Sequence, residues 1–210
     1  MNKYKLLYEI FKVDSRPKKI LTNSSSITKK ELDALFSKEL KELTENDLSH
    51  YIPLISLDNN TTFFYFLPRI LELSFEDEFI YPDPEIIFKI IYELNWDSWT
   101  LDKKRVIIDL INLKINDLCA FSNDGALIEQ WLCAVSFFIN DLTNYLRKLE
   151  SNSSSKAFHG FVNWNIITTL PKQKLSNDYW KYNKTQEKQV LMWMDSKVVK
   201  QYLNLNYGIT

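Results

Sequence analysis

A chain of 210 residues, 45% hydrophobic, with 26 basic and 27 acidic side chains can build its own core and is neither disordered nor strongly basic. Three glycines and six prolines are too few for turn-rich sandwiches and barrels, so long helices with short connections are expected. Two cysteines, Cys119 and Cys133, make no disulfide framework and read as reduced core residues of a cytoplasmic protein.

The N-terminal run mixes Lys and Glu among its apolar residues, unlike a signal peptide. No apolar stretch approaches the ~20 residues of a membrane helix. Residues 4–11 fit a helix or a strand, with helix favoured. Thr28-Lys29-Lys30-Glu31 has capping-box spacing and leads into Leu32, Leu35, Phe36, Leu40 and Leu43. Thr44 or Asn46 is expected to cap a short helix through Tyr51. Pro68 favours a helix starting near Leu67 over one that runs through it. Asp83-Pro84-Glu85 is a helix start: an acid able to accept a free amide, a proline suited to the first turn, and a second acid complementing the dipole.

Thr100 can cap a helix bearing Ile107, Leu110, Ile111 and Leu118. Asp124-Gly125 opens the clearest pattern, with apolar residues at Ile128, Trp131, Leu132, Val135, Phe138, Ile139, Leu142, Tyr145, Leu146 and Leu149. That spacing predicts one long helix over 128–149, ended by the polar run Ser151–Ser155. Residues 161–170 again fit helix or strand, helix favoured. The two ambiguous segments would otherwise form a small β element. Asn177–Leu205 reads as one broken or two consecutive helices with Leu191, Met194, Val198, Tyr202 and Leu205 on one face. No repeat or composition shift divides the chain, so residues 1–210 read as one all-α domain, an antiparallel multi-helix stack or bundle, with 1–27 as an N-terminal appendage.

Motifs for catalysis are sparse. Two histidines, His50 and His159, form no His-Glu-x-x-His pair, and neither thiol has zinc-ligand spacing or a setting that favours a thiolate. Three scattered glycines cannot cradle a phosphate. Pro82-Asp83 with Asp102-Lys103-Lys104 matches the letters of a metal-dependent nuclease signature. Both acids, however, fall at helix starts, where acids belong anyway. No catalytic, cofactor or metal residue is therefore assigned. Trp180, Tyr182, Trp193 and Tyr202 stand among C-terminal lysines in the manner of stacking platforms, yet several fall on or near the apolar helix face. They are read as core, and nucleic acid is not expected as a partner.

Charge distribution is the informative feature. Residues 51–100 carry nine acids against Arg69 and Lys89, whereas residues 151–210 carry eight lysines against three acids. The acids Glu72, Glu76, Asp77, Glu78, Asp83 and Glu85 are the candidate partner-binding surface, suited to a basic protein.

The stretch Phe63-Phe64-Tyr65-Phe66-Leu67-Pro68-Arg69-Ile70-Leu71-Glu72-Leu73, with Asp83-Pro84-Glu85 and Trp96-x-x-Trp99, resembles small uncharacterised helical bacterial proteins. Some of these look like immunity proteins of contact-dependent or polymorphic toxin systems. The resemblance covers about residues 60–120, under a third of the chain, and carries no catalytic signature. It implies a non-enzymatic cytoplasmic protein that masks a basic toxin domain, such as a nuclease, through an acidic surface. The alternative is a helical scaffold, adaptor or regulatory subunit with no toxin partner.

Overall fold

Helix starts follow the local capping signals in the computed structural model, which describes residues 3–13, 16, 17, 28–52, 54, 60–77, 79, 81–151, 155–169 and 174–208. Eleven α-helices and no strand occur among the described residues, as the scarcity of turn residues predicts. No described helix is long and apolar enough to cross a membrane. Contacts gather into two units, Met1–Ile111 and Asn112–Thr210.

The first unit holds α1 (Lys5–Ile10), α2 (Lys29–Ser37), α3 (Glu45–Leu48), α4 (Asn60–Phe75), α5 (Pro84–Glu93) and the start of α6 (Leu101–Phe121). The ambiguous N-terminal segment is thus helical. At α2 the Thr28 hydroxyl accepts from the Glu31 amide and the Glu31 carboxylate accepts from the Thr28 amide, the reciprocal box that the spacing predicts. Thr44, rather than Asn46, caps α3 through a box with Asp47. Asp83 occupies the α5 cap position with Pro84 at the first turn, but its side chain accepts no capping amide bond.

Pro68 lies inside α4 instead of starting it. Its neighbours explain the difference: Phe66, Leu67, Ile70 and Leu71 are fully buried. Their packing outweighs the loss of one ladder bond. Around α4, Phe11 stacks on Phe64 and both rings meet Trp99 edge-on, with centroids 5.2–6.1 Å apart.

The second unit continues through α6 to α7 (Gly125–Val135), α8 (Thr143–Ser151), α9 (Lys156–Thr169), α10 (Lys184–Met194) and α11 (Lys197–Tyr207). The segment 161–169 is helical; Leu170 lies outside the described residues. Asp124 caps α7 by accepting from the Leu127 amide at 3.0 Å.

The single helix expected over 128–149 is two. It breaks between Val135 and Thr143. Gln186 and Gln189 of α10 supply what the broken ladder leaves open. Gln189 accepts from the Leu142 amide at 2.8 Å and donates to the Asn140 carbonyl at 3.1 Å, while Gln186 donates to the Ile139 carbonyl at 3.4 Å. Asp141 then accepts from the Thr143 amide and hydroxyl, and these bonds hold its carboxyl below the usual range. Apolar spacing cannot register such remote partners. On the last two helices the buried apolar residues are Val190, Trp193, Met194, Val199 and Leu203, whereas Leu205, assigned to the buried face, is 87% exposed.

Two of the three glycines lie where α7 and α9 cross. A Cβ on Gly125 would stand 2.1 Å from the Gly160 carbonyl oxygen, and one on Gly160 would stand 2.3 Å from that of Asn123. A helical Gly→Ala change ordinarily stabilises by up to about 1 kcal/mol. Here the opposite sign is expected. Gly125→Ala and Gly160→Ala should each lower stability in urea unfolding by about 1–3 kcal/mol, because backbone must move to admit the methyl. In the same assay Trp131→Ala, at a fully buried site, should cost about 3–5 kcal/mol.

Candidate functional site

The six acids chosen from the sequence are not one surface. Glu72, on α4, accepts hydrogen bonds from the Tyr8 hydroxyl and from Arg69 Nη1, the latter at 2.9 Å. Arg69 also donates through Nε to the Leu43 carbonyl at 2.8 Å. Glu76, one turn on, accepts from the Tyr4 hydroxyl at 2.6 Å and pairs with Lys3 at 2.8 Å. These two carboxylates therefore fasten α1 along the end of α4. Glu85 is 3% exposed and adds nothing to the surface. Glu78 lies outside the described residues.

What remains is the turn between α4 and α5. Asp77 is exposed with a left-handed backbone, φ 56°. Asp83 is half-buried, and the Glu76 side chain is 41% exposed beside its partners. Tyr81, between them, is 54% exposed.

The nuclease-like letters receive other roles. Lys103 holds its ammonium 4.5 Å from the Phe64 ring centre, and Lys104 donates to the Asp97 carbonyl at 2.8 Å. The Cys119 thiol is pushed up to about 11, by burial first and against the opposing charge of Lys148. That shift disfavours the thiolate. Cys133 is fully buried. His50 stands 3.5 Å from Glu31, and His159 stacks on Tyr202 at 4.7 Å.

Sequence reasoning missed a carboxylate of the second unit that takes four donors. Glu129, 1% exposed on α7, accepts from the indoles of Trp164 at 2.6 Å and Trp180 at 3.0 Å. It also accepts from the Ser176 hydroxyl at 2.7 Å and the Asn177 amide at 3.1 Å. Four donors on one buried acid replace the water it has lost. A signal was present: Glu129 lies one position after Ile128 and three before Leu132, within the apolar stripe. The four candidate stacking rings divide. Trp180 and Trp193 are core, Tyr202 is half-buried and donates to Asn163 at 3.0 Å, and Tyr182 is 51% exposed.

Compared with protein-family models, curated proteins and solved structures, the chain matches none, so these comparisons add no support to the resemblance noted for residues 60–120.

Two outcomes follow from these carboxylates. Glu129→Gln places an amide donor among four donors and should cost about 1.5–3 kcal/mol or more in urea unfolding, the value of a hydrogen bond to a buried charge. Alkaline pH should loosen α1. Burial first, and then the bonds to Glu76 and Glu72, raise the Tyr4 and Tyr8 phenols above the ordinary tyrosine value of 10.0. The unfolded chain therefore ionises first. The stability these phenols contribute is complete below pH about 10 and falls as pH rises further. In a Cys119→Ala background, wild-type tyrosines should lose more stability between pH 9 and 11 than the Tyr4→Phe, Tyr8→Phe double variant. Equal slopes would contradict the assignment.

Proposed function

We propose that this chain is a non-enzymatic cytoplasmic protein-binding protein, an immunity protein that neutralises a basic toxin domain. Its contact is the acidic turn between α4 and α5. The reading is carried by the division of the acids. With Glu72 fastened to Tyr8 and Arg69, and Glu85 buried, the acids that reach solvent are Asp77, exposed, Glu76, partly exposed beside Lys3 and Tyr4, and Asp83, half-buried at the start of α5. The neutral Tyr4 phenol orders Glu76 without cancelling its charge, whereas the Lys3 ammonium at 2.8 Å offsets it, so the reading leans on Asp77 and Asp83. Such a turn attracts a basic surface from a distance and raises the encounter rate more than the final affinity.

The test uses charge removal at constant shape. Asn replaces Asp77 because it tolerates a left-handed backbone, whereas Lys would add strain there. Asp77→Asn with Asp83→Asn should leave stability within about 0.5 kcal/mol at each site. Affinity capture from the native host should recover a basic protein that is toxic when expressed alone and harmless when co-expressed with the wild-type chain. For that protein the double variant should associate on the order of tenfold more slowly at low salt, with little change in dissociation. It should also protect cells less at equal abundance. A captured protein that is not toxic, or one whose association rate is unchanged by the variant, would contradict the reading.

A further inference from the structure

The last helix is held to the fold by few groups. Two of the eleven residues of α11 are buried, Val199 and Leu203, whereas eight of eleven are buried in α7. Beyond Leu203 the helix meets solvent: Asn204 and Asn206 are exposed, Leu205 is 87% exposed and Tyr207 52%. So little buried apolar surface leaves the helix weakly opposed to its own conformational entropy, the condition under which a segment opens by itself.

One side chain of α9 supplies the polar hold. The Tyr202 and Tyr207 hydroxyls both donate to Asn163 Oδ1, at 3.0 and 2.9 Å, using both lone pairs of the amide oxygen. Among the described residues these are the hydrogen bonds that join α11 to another helix. Asn206 bonds back to the Tyr202 carbonyl, Ser196 caps the helix, and Lys200 pairs with Asp195 at the joint with α10. The Tyr202 ring also covers α9: it stacks on His159 at 4.7 Å and meets Phe158 edge-on at 5.4 Å. Only Asp195 and Ser196 separate α10 from α11.

We propose that α11 is a strap that opens about Asp195 and Ser196 while α7 stays folded, with Asn163 as its latch. Opening lifts Tyr202 from the His159 face and the Phe158 ring and so uncovers an aromatic surface on α9. A hinge of this kind needs only a few residues at the ends of the elements it joins. The strap belongs to the second unit alone and is independent of the partner assigned to the α4–α5 turn.

Amide hydrogen exchange of the full chain at several low urea concentrations tests it. Relative to intrinsic rates, the amides of 201–207 should exchange at least about tenfold faster than the slowest α7 amides. Their urea dependence should also be shallower, since a local opening exposes little surface. Ile128→Val, a mild truncation at a buried site of α7, should speed the α7 amides severalfold. It should leave 201–207 within about twofold, because Ile128 keeps its contacts when α11 opens. Asn163→Ala deprives both phenols of their acceptor and should speed 201–207 on the order of tenfold. Asn163→Asp retains an acceptor and should stay close to wild type. Exchange of 201–207 with the free energy and urea slope of the α7 amides, or equal acceleration of both segments by Ile128→Val, would overturn the strap. Indifference to Asn163→Ala, or equal acceleration by both Asn163 variants, would overturn the latch.

Discussion

The second unit depends on how closely α7 and α9 approach. Gly125 and Gly160 let backbone meet backbone, since a Cβ at either position would fall within 2.1–2.3 Å of a carbonyl oxygen. One turn further along each helix, Glu129 and Trp164 meet in a hydrogen bond. The same crossing therefore sets the helix register and buries a charge. That carboxylate also takes the Ser176 hydroxyl, the Asn177 amide and the Trp180 indole, which fixes the chain as it enters α10. From α10, Gln186 and Gln189 hold the break between α7 and α8. A local requirement for two small residues thus extends, bond by bond, to the ends of three helices, α7, α8 and α10.

In the first unit, acids serve the same purpose at the surface. Glu72 and Glu76 accept from tyrosines of the N-terminal segment and from Arg69 and Lys3. The acidic character of residues 51–100 is therefore partly an internal fastening. The exposed Lys3–Glu76 pair contributes little by itself, whereas the partly buried Arg69–Glu72 pair is screened much less by salt. Of the six acids, Asp77 is exposed and Glu76 partly so at the end of α4, and Asp83 is half-buried at the start of α5, which narrows a diffuse charge asymmetry to a testable place.

Features governed by near neighbours were legible in the sequence. The Thr28–Glu31 box, the Asp83-Pro84 start and the Asp124 cap all depend on residues within one turn, so spacing reveals them. Features governed by remote partners were not. The break after Val135 depends on glutamines about 50 positions away, passage of α4 through Pro68 depends on core packing, and burial of Glu85 inverts its role as a surface acid. Candidate sites suffered most. A list of acids cannot show which have tyrosine donors, nor can a list of aromatics separate Trp180 from Tyr182.

Hydrogen exchange of the Trp180 indole proton tests the central claim most directly, because that proton is buried on Glu129. The account predicts that it exchanges only through global unfolding, with the free energy of the slowest α7 amides. Exchange near the rate of an exposed indole, while the α7 amides stay protected, would mean that Glu129 does not hold the second unit together.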